Sequence, residues 1–200
     1  MSKTETKRGE ARDEIVRAVL DLIAETGIES VTHRSAAART GVSPGTVTYH
    51  FSTRDSLIDA ALTQYVSEYQ GGLAEAVAKQ PITDREALVR FLVGTTALTP
   101  DTLKLSIIEA EMALLAQRTG RLMGVLQAWQ RSMEPILSEV LESIGVSRPV
   151  EAARILVAIC RGTEFEVMAR GAAIDPDTLK NRLEVGLSGL MQGPGGFATF

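Results

Sequence analysis

The side chains best suited to chemistry lie between residues 31 and 54, and the chemistry they suit is the binding of phosphate. This stretch contains Arg34, Arg39 and Arg54, both histidines of the chain, and no carboxylate. The whole chain carries 25 acidic and 21 basic residues, so carboxylates are expected in a stretch of this length. Because a carboxylate repels phosphate, an acid-free surface rich in hydroxyl groups indicates contact with a nucleic-acid backbone.

Catalytic chemistry lacks the groups it requires. The chain has two histidines and one cysteine, and they form no zinc-binding pair and no nucleophile–base pair at a recognisable spacing. Glu109 and Glu111 are two residues apart, so on a helix they point in different directions. We therefore expect no catalytic residue, no metal site and no cofactor.

Capping signals place the phosphate-binding stretch on two short helices. Thr32 is a suitable N-cap for a helix over His33–Thr40, which Gly41 ends with a turn of positive φ. Ser43 caps a second helix, Pro44–His50, in which proline takes the favourable first position.

The second helix is expected to present a polar face. Val47 and Phe51, four residues apart, can anchor it inward. Its small or hydrogen-bonding residues then face outward: Gly45, Thr46, Thr48, Tyr49 and His50. A capping box of Ser52 and Asp55 is predicted to open the next helix. The spacing predicts a helix-turn-helix that reads DNA, followed by a third helix.

The segment Thr32–Leu57 resembles the TetR family of bacterial transcriptional regulators. The resemblance is carried by Thr32 with Arg34, the turn TGVS, the helix GTVTYHF and the following STRDSL. It is strong over about residues 10–65 and is only generic beyond them.

This resemblance implies a ligand-responsive transcriptional regulator, foremost a repressor. It would bind a near-palindromic operator as a homodimer and be released by a small, largely apolar effector. The half-sites are expected about 34–36 Å apart, or a multiple of that distance. Thr46 and Thr48 are the predicted base contacts, and Gly45 allows close approach of the backbone. The predicted phosphate contacts are Thr32, Arg34, Ser43, Tyr49, His50 and Arg54.

Composition agrees with a cytoplasmic protein. The chain has 200 residues, 44% of them hydrophobic, a net charge of −4 and a pI of about 5.3, so any basic face must be local. Cys160 is the single cysteine, which excludes a disulfide within one chain. The sequence has neither a signal-peptide pattern nor an apolar run long enough for a membrane span.

Helical periodicity extends over nearly the whole chain and predicts an all-α fold. A first helix is expected at about 10–26, after residues 1–9, which are either a frayed terminus or a basic arm. The helix after Ser52 runs toward Gly71 and Gly72, or on to Ala78, and the resemblance makes it the lever between two domains. Later helices are predicted at about 84–98, 101–118, 121–143, 149–170 and 177–192, and Pro135 is expected to kink the third of these or to divide it.

The resulting domains are a helix-turn-helix domain at 1–52, a helical ligand-binding and dimerisation domain at 53–192, and a disordered tail at 193–200. Residues 155–160 are six consecutive apolar residues, which point all around a helix and must be covered on every side. Helices 149–170 and 177–192 are therefore predicted to pair with a second subunit, the latter through Leu179, Leu183, Leu187 and Leu190. The alternative is a central helix in a monomer.

Ligand-binding residues are predicted less specifically. The candidates are Phe91, Ile108, Glu109, Met112, Trp129, Met133, Arg161 and Phe165. Each of the apolar candidates, taken singly, is more typical of ordinary core. Arg161 with Glu109, Glu111 or Glu164 can form either the polar end of a ligand site or a structural bridge. Two other classes of function remain: a helical small-molecule-binding protein without DNA binding, and a helical-bundle enzyme.

Overall fold

The computed structural model describes residues 3–191, with side chains for residues 9–100 and 102–190. The predicted tail, 193–200, lies outside the described residues. Within residues 3–191 every regular element is helical, which confirms the all-α prediction. The α-helices are α1 (Lys3–Thr26), α2 (His33–Thr40), α3 (Pro44–His50), α4 (Arg54–Lys79), α5 (Arg85–Thr95), α6 (Lys104–Thr119), α7 (Met123–Gln130), α8 (Glu134–Ser143), α9 (Pro149–Arg170) and α10 (Pro176–Met191).

Several helix boundaries differ from the predictions. Helix α1 begins at Lys3, seven residues earlier than expected, and α4 continues through Gly71 and Gly72. The predicted single helix 121–143 is two helices, α7 and α8, with Pro135 in the first turn of α8. Proline is tolerated there because the N–H it lacks has no intrahelical partner in a first turn.

The predicted capping box of Ser52 and Asp55 is wrong by one residue. The backbone N–H of Ser56 donates to Thr53 Oγ1 at 3.0 Å, and the N–H of Thr53 donates to Ser56 Oγ at 3.1 Å. A Thr–Ser pair with the same three-residue spacing therefore caps α4. Aspartate at position 55 is free to bond elsewhere.

The chain forms two compact units. The first unit comprises Met1–Gln70 and Lys104–Trp129, and the second comprises Gly71–Leu103 and Gln130–Phe200. Helix α4 contributes to both. The functional boundary at 52 stays a prediction.

The first unit is built on one apolar core. Ile15, Val19 and Ile23 of α1, four residues apart, lie on one buried stripe and pack with side chains of α2, α3 and α4. Ile108, Met112 and Ala116 of α6 belong to the same core. Helix α6 is thus part of the body that carries α2 and α3.

In the second unit α9 packs between α8 and α10, and α10 also packs on α5. Polar contacts also link these helices. Arg154 of α9 forms two hydrogen bonds with Glu134 of α8, at 2.9 and 3.1 Å, and this contact lowers the pKa of Glu134. Arg85 of α5 donates to the Glu184 carbonyl at 2.8 Å and to Ser188 Oγ at 2.7 Å, both on α10.

No helix in the described part of the chain is both long and apolar enough to cross a bilayer.

Candidate nucleic-acid interface

Helix α2 is positioned by the predicted cap. The Ser35 N–H donates to Thr32 Oγ1 at 2.9 Å, and the Thr32 N–H donates to Ser35 Oγ at 2.8 Å. The helix ends at Gly41, which has φ 74° and whose N–H donates to the Ala37 carbonyl at 2.9 Å. A residue with a β-carbon is strained at that angle, so glycine makes the tight turn into α3 possible.

Helix α3 is held at both ends and buries only its anchors. The Thr46 N–H donates to Ser43 Oγ at 3.1 Å, and Pro44 takes the first helical position. Val47 and Phe51 are buried, as predicted. With so short a helix, these two contacts leave the remaining face open to a partner.

The outward face of α3 carries hydroxyl and aromatic groups. Tyr49 is 63% exposed, and its ring lies edge-on to that of His50 at 5.3 Å between centroids. Thr48 is exposed and donates to the Pro44 carbonyl at 3.0 Å, while the hydroxyls of Thr46 and Ser43 are 2.9 Å apart. A hydroxyl group has one donor and two acceptor positions, so each keeps capacity for a further partner.

Gly45 is open to solvent at the start of α3. A β-carbon built there would meet only Ser43 Oγ, at 3.6 Å, which is an ordinary contact. The fold therefore does not require glycine at this position. The missing side chain leaves the backbone of α3 open to close approach from outside.

Two arginines of this stretch differ in their surroundings. Arg39 is paired with Glu25, and its Nη2 is also 4.0 Å from Asp21. The hydrogen bond with Arg39 lowers the pKa of Glu25. Arg34 is exposed and, among the described residues, has no carboxylate within ion-pair distance. Arg34 is thus the available cation of α2.

Arg54, a predicted phosphate contact, also forms hydrogen bonds within the chain. Its Nε donates to the Val31 carbonyl and its Nη2 to the Ile28 carbonyl, both at 2.7 Å, and Nη2 also reaches Glu29 at 3.1 Å. Three of its five N–H donors are thereby used within the chain. Arg54 holds the segment before α2 on the start of α4, a role that no local pattern in the sequence indicates.

Two further side chains near α3 have roles that the sequence did not predict. His33 Nε2 lies 2.7 Å from the Phe51 carbonyl, and since a carbonyl only accepts, this nitrogen carries a proton. The Arg12 guanidinium lies 5.4 Å from the centroid of the Phe51 ring. Arg12, whose Nη1 also lies 3.6 Å from Asp13 Oδ1, therefore contacts the end of α3 across 39 residues of sequence.

The predicted ligand residues are divided between the two units. Ile108, Glu109, Met112 and Trp129 lie in the first unit, and Phe91, Met133, Arg161 and Phe165 lie in the second. Ile108 and Met112 are core residues. Phe165 is 69% exposed, which argues against a place inside a cavity of this subunit.

Glu109 takes part in a buried polar network of the first unit. Its Oε1 accepts a hydrogen bond from Tyr65 of α4 at 2.6 Å and one from Trp129 Nε1 of α7 at 3.1 Å. The carboxyl group thus joins three helices.

Arg161 and Glu164 form a bridge in the second unit. Arg161 Nη1 lies 3.4 Å from Glu164 Oε2, and Glu164 Oε1 accepts a hydrogen bond from the Ala97 N–H at 3.1 Å. Of the readings left open for Arg161, this geometry favours the structural bridge with Glu164. Within the described residues no cluster of three metal-ligating side chains occurs.

Comparison with known proteins agrees with this geometry. The family model described as bacterial regulatory proteins, tetR family, matches residues 15–61, and the model described as tetracyclin repressor-like, C-terminal domain, matches residues 83–192. The HTH-type transcriptional regulator BetI of Stenotrophomonas maltophilia is 35% identical over 68 residues, which are 34% of this chain. Those residues span 33% of the length of that relative.

Solved structures extend the similarity to nearly the whole chain. A transcriptional regulator from Rhodococcus sp. superposes with a TM-score of 0.76 and 25% identity, over 91% of this chain and 96% of the other. The multidrug binding protein EbrR, complexed with ethidium, superposes with a TM-score of 0.65 and 29% identity, over 88% and 96% of the two chains.

Proposed function

The chain belongs to the TetR family of bacterial regulatory proteins, and on this premise we propose that it represses transcription as a homodimer that inserts α3 of each subunit into the major groove of an operator. The observation that carries the proposal is the outward face of α3, which is polar and free of carboxylates and is mounted at both ends on a rigid core. Action on DNA implies a cytoplasmic location. The alternative of a helical-bundle enzyme is set aside, because the family consists of transcriptional regulators.

In this arrangement the residues have distinct roles. Thr46 and Thr48 contact base edges, and Gly45 lets the α3 backbone approach the DNA closely. The remaining contacts are to phosphate and position the helix without reading sequence. They are Thr32, Arg34, Ser43, Tyr49, His50 and Arg54, of which Arg54 keeps the two N–H donors of Nη1 for phosphate.

Selection of bound duplexes from a random DNA pool at a stated salt concentration tests the proposal. We expect an inverted repeat with half-sites about 34–36 Å apart or a multiple of that distance. Replacing Thr46 by Ala should change the preferred base at one position of each half-site, whereas replacing Tyr49 by Ala should weaken binding to all sequences alike. The reverse pattern would refute the assignment. If the wild-type protein enriches no sequence, the alternative of a small-molecule-binding protein without DNA function gains support.

The second subunit is proposed to bind an exposed apolar surface of α9 and α10. Ile155 and Phe165 of α9 are 43% and 69% exposed, and Val185 of α10 is 75% exposed. A β-carbon at Gly186 of α10 would lie 2.9 Å from Ile159 Cδ1, so the two helices pack closely there. Ala158, Ile159 and Gly162 of α9 line one shallow surface with Val185 of α10. Exposed apolar residues concentrated on one face are typical of protein–protein interfaces.

The predicted contribution of the leucine stripe to this interface is wrong for three of its four leucines, and Leu190 is partly exposed. Leu179, Leu183 and Leu187 are fully buried against their own subunit. The period of the stripe identified the buried face of α10, because a core and an interface impose the same helical spacing. Val185, outside the stripe, lies on the exposed face.

Sedimentation of a charged variant tests the interface. The double variant Phe165→Glu/Val185→Glu should sediment as a monomer, because four carboxylates would be buried in the dimer. Leu114→Glu, at a residue of α6 that is 49% exposed, is the matched control and should remain dimeric. A dimeric double variant would contradict the proposed surface.

The effector is proposed to be small and largely apolar. A cavity of about 500 Å³ in the second unit has walls from Ala76, Ile82, Ala87 and Phe91, with Gln80, Arg90 and Thr95 as polar groups. Its size falls within the usual range for small-molecule sites. Phe91, one of the residues predicted from sequence, lies in its wall.

The apolar anionic dye 8-anilinonaphthalene-1-sulfonate is a suitable probe of this cavity. We expect saturable dye fluorescence with the wild-type protein and its loss in Phe91→Glu. Leu114→Glu adds the same charge elsewhere and should bind the dye as the wild type does. Equal dye binding by Phe91→Glu would exclude this cavity as the apolar site. The effector would act as a population shift toward dimers whose α3 helices no longer match the operator.

A further inference from the structure

A charged cluster joins the turn between α6 and α7 to the start of α4. Arg121 Nη1 lies 2.6 Å from Asp55 Oδ2, and Arg121 Nη2 lies 2.5 Å from Asp59 Oδ1. Nη2 also donates to the Asp55 carbonyl at 3.2 Å. Asp55 and Asp59 are four residues apart and so lie on one face of α4. In this Arg121 cluster (Arg121, Asp55 and Asp59), one guanidinium holds two successive turns of α4.

The turn that presents Arg121 has an unfavourable backbone. Gly120 has φ 70° and Leu122 has φ 58°, and Leu122 is the one residue other than glycine with positive φ among those described. This region is costly for a residue with a β-carbon and persists only where the surroundings hold it. The Leu122 side chain packs against the core of the first unit, and its carbonyl accepts a hydrogen bond from Leu126 N at 2.8 Å. Packing thus holds the turn in the shape that brings Arg121 to α4.

The part of α4 that Arg121 holds is the part to which the helix-turn-helix is attached. Arg54, next to Asp55, donates to the carbonyls of Ile28 and Val31 just before α2. The other end of α6 is also attached, because Lys104 forms an ion pair with Asp21 of α1. Helix α6 is therefore bonded near one end to α1 and near the other to α4, and both of these helices pack with α3 in the core of the first unit.

We propose that Arg121 is a positioning residue for DNA binding, which sets the half-site spacing that the dimer accepts by holding the first two turns of α4 on the α6–α7 turn. This inference rests on the proposed function. Without the Arg121 cluster, α4 can tilt or rotate against α6, and α3 moves with it. A dimer whose two α3 helices move in this way binds operators with several half-site spacings in place of one.

The experiment is selection from a duplex library in which the recovered half-sites are separated by spacers of varied length. The wild-type protein should enrich one spacing over those one base pair longer or shorter. In Arg121→Gln this preference should fall by about three- to tenfold, as expected when partly exposed ion pairs are lost from both subunits. The double variant Asp55→Asn/Asp59→Asn should show the same loss of preference.

The two variants separate positioning from a general effect of charge. Arg121→Gln removes positive charge and should weaken DNA binding overall, whereas Asp55→Asn/Asp59→Asn removes negative charge and should strengthen it. Their shared loss of spacing preference has no explanation in net charge. Arg118→Gln is the matched control: Arg118 is exposed on α6, has no ion pair within the described residues, and should keep the wild-type preference.

The outcomes are distinct. If the wild-type protein enriches no inverted repeat, the proposed function fails. If it enriches one and both cluster variants keep its sharp spacing, or if Arg118→Gln loses it equally, the role of Arg121 is refuted. Thermal unfolding of each variant identifies one that fails to fold. If Arg121→Gln fails to fold, Arg121→Lys replaces it, because lysine retains the charge but has one nitrogen in place of the two that contact Asp55 and Asp59.

Discussion

Replacement of Gly45 by alanine should raise stability and lower DNA affinity. A β-carbon at Gly45 would meet only Ser43 Oγ at 3.6 Å, so the folded chain accommodates it. Alanine is favoured over glycine in helices by up to about 1 kcal/mol, and we expect the free energy of unfolding to rise by at most that amount. Against DNA the same methyl group enters a close contact, and overpacking of this kind costs about 1–3 kcal/mol. Each half-site should therefore bind about 5- to 150-fold more weakly.

The measurements are urea unfolding and fluorescence anisotropy with the selected operator at fixed salt. Gly124→Ala is the matched control, because Gly124 is likewise the second residue of a short helix, α7, and its built β-carbon meets nothing within 4 Å. It should gain similar stability and bind DNA as the wild type does. Operator binding by Gly45→Ala within twofold of wild type would refute close approach at the start of α3. A lower free energy of unfolding for Gly45→Ala would show that the fold does not accommodate a β-carbon at this position.

Two substitutions and one reactivity measurement test the turn at Gly41, the buried Glu109 network and the burial of Cys160. Gly41→Ala forces a β-carbon to φ 74° and should lower the free energy of unfolding by about 1–2 kcal/mol in urea unfolding; an unchanged value would show that the turn can relax. Tyr65→Phe removes one donor to the buried Glu109 carboxyl group and should lower the free energy of unfolding by about 1–3 kcal/mol in the same assay; an unchanged value would show that this hydrogen bond does not stabilise the fold. Burial raises the pKa of Cys160 from 9.0 to about 11, so its thiolate fraction at pH 8 falls from about 10% to about 0.1% and its reaction with a thiol reagent should be about 100-fold slower than in the unfolded chain. Equal reaction rates in the folded and unfolded protein would contradict this burial. Because the pKa of Cys160 is higher in the folded state, its contribution to the free energy of unfolding is present below pH 9 and is lost between pH 9 and about 11.

Local signals in the sequence predicted the helix-turn-helix almost residue by residue. The bounds of α2 and α3, the caps at Thr32 and Ser43, and the turn at Gly41 are as expected. These features depend on hydrogen bonds between residues at most four positions apart and on the φ angle of one glycine, so the chain order alone carries the information.

Contacts between distant residues were decided by the tertiary structure. Arg54 bonds to carbonyls 23 and 26 residues away, and Arg121 bonds to aspartates more than 60 residues away. No local pattern in the sequence around either arginine indicates these partners, and only the packed helices bring them together. The sequence therefore did not indicate that Arg54 also holds the segment before α2 on α4.

Sequence alone therefore determined the helical class, the helix-turn-helix and the residues that face outward from α3, because helical period and capping are local properties. The tertiary structure decided which side of α10 is buried, where α6 is bonded, and which predicted ligand residues are core. A helical stripe has the same period whether it meets its own core, a second subunit or a ligand, so only the arrangement of the helices distinguishes these surroundings.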